Sequence, residues 1–256
     1  ANDYAEGTIV AYRTAISSFF KYACEISDDY AMDLEVPKNP SEELDWSWSI
    51  SGTKKGKGVE SVEGIYYLEP EEVTELVENS PAPKLRNQLI IRLLFSTGLR
   101  RGELATITLD AIDRDNNTIY IPAMKSPNPR RITYSQEYVG FMLDRWIDSG
   151  YRDAVFEASE SDYLFPTQES EHIAGDTING IVKTSAENAN LQNSVSSYSD
   201  GRQISKVTAH ILRHSYAVQA IKSGIDVRTL MNLMGHENLD TTLRYLRIAE
   251  RDVLKE

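Results

Sequence analysis

"TAHILRHSYAVQAIKSG", Thr208 to Gly224, reads as one complete helix with a start and a stop written into it. Thr208 suits an N-cap, Ile211, Leu212, Ala217, Val218 and Ile221 supply apolar positions, and Gly224 ends the run. "VRTLMNLMG" (227–235) and "LDTTLRYLRIAERDVLKE" (239–256) follow as two more helices. Working upstream, "LEPEEVTELVENS" (68–80) is a helix with Pro70 near its N-terminus and acids in its first turn, which suits the macrodipole. "APKLRNQLIIRLLFSTG" (82–98) is a strongly apolar helix stopped near Gly98, and "GELATITLDAI" (102–112) a short one. "NTIYIPAMKSPNPRRITYS" (117–135) alternates like strands around a "KSPNP" turn, and "SQEYVGFMLDRWIDSG" (135–150) returns to helix. The polar stretch 187–203 reads as a long loop. The expected fold is mainly α (α+β): a mostly helical domain carrying a small antiparallel three-stranded sheet.

The N-terminal part reads separately. "TIVAYRTAISSFFKYACEI" (8–26) has apolar residues at helical spacing behind a Thr8 cap, and a second short helical region precedes Trp46 and Trp48. "SGTKKGKG" (51–58) has no apolar anchor and reads as a flexible basic linker. The boundaries are therefore a small helical domain at 1–58, ending in that linker, and a larger domain at 65–256. The absence of an initiator Met suggests a segment trimmed from a longer chain.

Composition narrows the class. The chain has 256 residues and 41% apolar content, enough for real cores. No apolar run approaches the ~20 residues of a membrane span, and the start lacks the features of a secretory signal. Cys24 is the single cysteine, which excludes an internal disulfide framework and a multi-cysteine zinc site and fits a cytoplasmic setting. The net charge of −12 argues against unspecific binding to phosphate backbones. Yet residues 201–225 hold Arg202, Lys206, Arg213 and Lys222 without one acid, and 124–136 hold Lys125, Arg130 and Arg131 likewise. Basic islands on an acidic chain suggest a focused anion site. The scattered acid, with 16 Arg to 11 Lys, reads as a surface adapted to high salt, pointing to a haloarchaeon or its mobile element.

Candidate chemistry gathers at helix ends and turns. A Thr208 cap puts His210 and Arg213 on one face of a first turn, where free N–H groups favour an anion. Read alone, they are an exposed Arg and a half-buried His. His210 and His214 have the i, i+4 spacing of metal ligands, but "HILRH" lacks the glutamate of a zinc-protease helix and Arg213 would repel a cation. Arg100 projects from the turn after Gly98, and Glu103 can take a salt bridge or hold an arginine. Lys125 sits at the hairpin tip, where lysines commonly only solvate. His236 stands nine residues before Tyr245, which by itself reads as core packing. Taken together, two arginines, a lysine, histidines and a tyrosine meet the needs of phosphodiester cleavage by a protein nucleophile. Guanidinium forks bind non-bridging oxygens and stabilise developing charge. A phenol of pKa ~10 needs help to attack, and the leaving oxygen needs a proton. No metal or nucleotide cofactor is required.

"TGLRRGEL", the lysine hairpin, "HILRH" and "LMGHENLDTTLRY", in that order, resemble the tyrosine recombinases, the phage integrase family. The resemblance runs from about Leu68 to the C-terminus, and the N-terminal helices look like a shortened core-binding (SAM-like) domain. It implies that Arg100 and Arg213 clamp the phosphate and that Lys125 is the general acid. It implies further that His210 assists proton transfer, His236 orients the phosphate, Glu103 supports the site, and Tyr245 forms a 3′-phosphotyrosyl link. His214 fits the pattern as a mainly structural residue. The implied partner is double-stranded DNA at a specific site, bound as a homotetramer on paired sites, with DNA integration, excision or a related rearrangement as the outcome. "KSPNPR" departs from the family's glycine-rich turn, and only 11 residues (256 − 245) follow Tyr245 for docking on a neighbouring subunit. The rival expectations are a type IB topoisomerase-like enzyme that rejoins the same strand, and a catalytically silent DNA-binding relative. Strand exchange between duplexes separates the first from a recombinase; a covalent adduct separates the second.

Overall fold

The computed structural model describes residues 66–124, 128–155, 161–192, 194–197, 203–236 and 239–253. All lie within the unit Val62–Glu256. The domain read at 1–58, its linker, and Lys125 fall outside the described residues.

Helix α1 (Pro70–Glu78) starts as its sequence dictates. Pro70 fills the first helical position, and the Glu72 carboxylate accepts the Glu69 backbone N–H at 2.9 Å, closing a capping box. Helix α2 (Lys84–Thr97) is the spine of the core: Leu89, Ile90, Ile91, Leu93 and Leu94 are all fully buried. A helix apolar on nearly every side must be surrounded. At ~1.5–3 kcal/mol for each large apolar side chain, these five alone contribute of the order of 10 kcal/mol of gross burial. Gly98 stops α2 at φ +64°, and a Cβ there would lie 2.3 Å from the Tyr216 ring, so both dihedral and space demand glycine. Helix α3 (Arg101–Ala105) follows at once.

The hairpin reads as expected. β1 (Ile112–Asp113), β2 (Thr118–Ile121) and β3 (Arg130–Thr133) form a three-stranded antiparallel sheet in chain order. Ile119 pairs with Ile132 and Ile121 with Arg130. Ile119, Ile121 and Ile132 are buried while Tyr120 and Arg131 face out, a period of two that fixes the register. Helix α4 (Phe141–Asp148) is preceded by a π-helical turn, Gln136–Gly140, within the stretch read as one helix.

Three features differ from the sequence reading. Only the start of "GELATITLDAI" belongs to α3; Leu109–Ala111 is a 3₁₀ turn, and its last residue begins β1. The β-branched run Thr106-Ile107-Thr108 disfavours a helix and instead bridges to Tyr163. Helix α5 (Gly175–Asn188) occupies a region left without a reading. The stretch expected as a long loop holds a two-stranded hairpin, β4 (Ser194–Ser197) with β5 (Gln203–Ser205).

The C-terminal helices fall where the sequence puts them: α6 (Ala209–Lys222), α7 (Val227–Met234) and α8 (Leu239–Val253). Asp226 caps α7, accepting the N–H groups of Arg228 and Thr229 at 3.0 Å. Thr208 has the extended backbone of an N-cap, but its side chain makes no capping bond. Helix α6 packs along α2, with α8 and α7 against α6. A second buried cluster joins these last helices, and Tyr245 is one of its members together with Val218, Leu230 and Met234. The core reading of that tyrosine is thus correct as far as its ring goes. Among the described residues no helix is long and apolar enough to cross a membrane.

Candidate active site

The site is organised around the last turn of α7. Its terminal carbonyls have no partners within the helix and carry the negative end of the macrodipole. Three guanidinium groups take them up. Arg130 Nε donates to Leu233 O at 2.7 Å, Arg213 Nη2 to Met234 O at 2.6 Å, and Arg100 Nη2 to Gly235 O at 3.0 Å. Gly235 turns the chain at φ +62°, which delivers His236 directly into the cluster.

Glu103 is the counter-charge. Its carboxylate receives a fork from Arg130 (3.0 and 2.9 Å), the Arg100 side chain at 3.1 Å and the Arg100 amide at 2.8 Å, and it lies 4.0 Å from Arg213. Burial pushes this carboxyl up, but the Arg130 fork and the Arg100 amide more than offset that and hold it below the usual range. One buried carboxylate therefore aligns three guanidiniums. Arg213 is 3% exposed and also donates to Gly98 O at 2.5 Å, which ties the stop of α2 to α6. Its pKa is pushed down to about 10, by burial first and by Arg100 second. It is still a cation at neutral pH, and a cation that an anion beside it would relieve.

A cleft of about 640 Å³ opens onto this cluster, lined by Arg100, Glu103, Met124, Asn179, His210 and Arg213 among others. The first residues of α5 and α6 line it, which brings the partial positive charge of two helix starts to its wall. His210 stands on the cleft wall, where the protein around its ring, and after it Arg213 and Arg100, lowers its basicity.

His236 and Tyr245 pack beside the cleft rather than on its wall. The His236 ring stacks on Tyr245, centroids 6.3 Å apart at 19°, and its Nδ1 is 2.9 Å from Thr242 Oγ1. The Tyr245 phenol is 3% exposed. Its pKa is raised: burial outweighs the opposing pull of Arg213, Arg244 and Arg100. The help that a phenol needs to attack is thus not supplied by these cations alone: desolvation outweighs them, and the hydroxyl keeps its proton.

The structure thus brings together Arg100, Glu103, His210, Arg213, His236 and Tyr245 out of the residues singled out from sequence. Sequence reasoning missed two. Arg130 was noted only as part of a basic island; its place at the first residue of a strand, in an acid-free segment, was the available signal. His214 was set aside as structural, yet its Nδ1 lies 2.6 Å from the Tyr245 hydroxyl.

The histidines give a pH prediction. Burial, then neighbouring cations, depress His236 to about 4 and His214 to about 3, with His210 and Arg213 the next causes for His214. In the unfolded chain both titrate near ~6.5. Between those values the unfolded state binds more protons, so stability is complete above ~6.5 and is lost as pH falls toward 4. Each histidine contributes a slope of up to ~1.4 kcal/mol per pH unit. Thermal melts should fall steadily from pH 7 to pH 5, above the carboxylate range; a melting temperature flat across that window would contradict the burial of neutral imidazoles.

Comparison with known proteins gives the family. The phage integrase family model matches residues 66–251. Tyrosine recombinase XerA of Pyrococcus furiosus is 31% identical over 193 residues, covering 74% of this chain and 59% of the relative. Tyrosine recombinase XerD of Haemophilus ducreyi is 28% identical over 187 residues, covering 72% and 58%. The chain thus spans under two thirds of the length of these relatives. Among solved structures, XerA recombinase superposes with a TM-score of 0.61 at 22% identity, over 98% of this chain and 76% of that one. The Tn1549 transposon integrase in complex with transposon right end DNA gives 0.67 at 18%, over 98% and 80%. At such identity these two likenesses speak to the fold. With a match that spans almost the whole described region, the chain belongs to the phage integrase family.

Proposed function

We propose that the chain is a site-specific DNA recombinase that cuts and rejoins strands through a tyrosine. The observation that carries this is the packing of the Tyr245 phenol beside a cleft whose wall holds Arg100, His210 and Arg213. A phosphodiester seated there is gripped by the two guanidiniums, whose remaining N–H groups meet its non-bridging oxygens. Tyr245 Oη attacks phosphorus and gives up its proton to His210, a 3′-phosphotyrosyl bond forms, and the bond to the 5′ oxygen breaks. Lys125 protonates that oxygen, while His210 assists proton transfer and His236 orients the phosphate. Attack by the free 5′-hydroxyl of a partner strand then reverses the chemistry and releases Tyr245. Residues 1–58 add a second contact with the duplex, and four chains assemble on two paired sites. The setting is the cytoplasm.

The test is a pool of nicked duplex fragments in which cleavage loses the 5′ end and traps the intermediate. A protein–DNA adduct that survives denaturation, mapped to one sequence, supports the reading. Relaxation of a supercoiled circle without exchange between duplexes would move the chain to a topoisomerase-like role, and binding without adduct to a silent one.

The surface points to a haloarchaeal setting. With 39 acids against 27 bases, self-repulsion opposes the compact state until salt screens it. The cooperative fold is expected to be lost in dilute buffer and regained in molar KCl. Full stability at low salt would remove the halophilic reading and leave the recombinase reading intact.

A further inference from the structure

The Tyr245 oxygen has a close polar neighbour to which the proposed reaction gives no role. His214 Nδ1 lies 2.6 Å from it, and the two rings pack with centroids 5.5 Å apart. His214 in turn meets the cleft-wall imidazole of His210 edge to face, centroids 4.2 Å apart. A continuous line of contact therefore runs from the cleft wall through His210 and His214 to the phenol hydroxyl. We propose that His214 is a positioning residue: its Nδ1 accepts the hydrogen bond of the Tyr245 hydroxyl and aims that oxygen for attack without taking the proton. This rests on the reading of Tyr245 as the nucleophile.

Chemistry argues for an acceptor, since a phenol hydroxyl donates better than it accepts. An imidazole that accepts at Nδ1 is neutral and carries its hydrogen on Nε2. With the phenol hydrogen committed to Nδ1, the oxygen's lone pairs face away from His214. Magnitude argues against a base. The phenol holds its proton above its ordinary 10.0, whereas His214 takes one only near pH 3. Full transfer between them therefore runs strongly uphill. Burial first, and then the charges of His210, Arg213, His236 and Arg244, keep His214 uncharged. An oxygen fixed in a buried site loses little when it reacts, whereas misplacement by about 1 Å can cost ~100-fold in rate.

Two variants of the full chain test this on the nicked duplex recovered by adduct mapping. His214→Asn puts an amide oxygen near the place of Nδ1, an acceptor that takes up no proton. His214→Ala removes the acceptor. With both variants melting cooperatively and binding the duplex as the parent does, Asn should form adduct within about tenfold of the parent rate and Ala about 100-fold slower. Ala at the parent rate or faster overturns the proposal, the latter because the bond would then be a latch. Asn as slow as Ala overturns it too, because proton uptake would then be needed. A DNA-free measurement keeps it separate from the recombinase reading: nitrogen NMR of histidine-labelled protein, with the His214 signal identified by its loss in His214→Asn. An Nε2–H tautomer whose Nδ1 signal moves in Tyr245→Phe is expected; a signal indifferent to Tyr245→Phe overturns the proposal. Should the parent form no adduct on any duplex, the nucleophile reading falls, and the nitrogen signal still decides whether the bond exists.

Discussion

Tyr245→Phe is expected to abolish the covalent adduct while leaving DNA binding nearly unchanged. The phenylalanine ring keeps the packing against Val218, Leu230 and Met234, so the second core cluster survives. What disappears is one oxygen. Its loss leaves His214 Nδ1 without a donor, which costs about 1 kcal/mol at a half-buried group. The fold therefore stays intact and the chemistry does not. Water cannot restore the adduct, because the covalent link to the protein needs the phenol oxygen itself. Removing a covalent nucleophile typically costs about a millionfold in rate, since the groups around it act as a unit. Adduct on the nicked duplex should fall below detection on a denaturing gel, with affinity for the same duplex within about twofold. Adduct at parental yield would show that another side chain attacks, and the family role given to Tyr245 would be wrong for this chain.

That prediction is legible in the sequence, and the reason is physical. Residues that sit at helix ends carry their context in the sequence: Gly98 before Arg100, Thr208 before His210 and Gly235 before His236 each mark a turn that the structure then shows. The apolar helix ending at Gly98 and the alternation of Ile119, Ile121 and Ile132 were legible for the same reason, since periodicity is local. What escaped was either diluted or tertiary. Helix α5 buries Ile178, Ile181, Val182, Ser185 and Ala186 at helical spacing, but Gly175, Gly180 and several Ser, Thr and Asn residues mask the pattern. The β4–β5 hairpin is short and polar, and its strands pair without an apolar face to announce them. Arg130 lies 27 residues from Glu103 and 103 from Leu233, so no spacing rule connects them. His214 falls on the same account: it touches a hydroxyl 31 positions away through the packing of α8 on α6.

Arg213→Ala is expected to lose cleavage and stability together, and this separates it from Arg100→Ala. Arg213 is 3% exposed and serves two helix ends, donating to Gly98 O and Met234 O. Truncation takes a donor from Gly98 O, at ~1–3 kcal/mol, leaves Met234 O only the long 3.5 Å bond from Arg100 Nη1, and leaves Glu103 with less positive charge around it. The side chain of Arg100 is 33% exposed, and Arg130 keeps its fork on Glu103 without it, so its loss costs the fold less. For catalysis the two should look alike. Each removes a preorganised cation from the place where charge builds on the phosphate, a change worth ~10²–10³ in rate. Arg213→Lys keeps the charge but reaches only one carbonyl at a time, so it should recover part of the stability and little of the rate. Denaturant melts and adduct rates on the same duplex make the comparison. An Arg213→Ala protein that cleaves near the parental rate would take this arginine out of the phosphate clamp. One that loses cleavage with no change in midpoint would mean that its bonds to Gly98 and Met234 do not hold the site together.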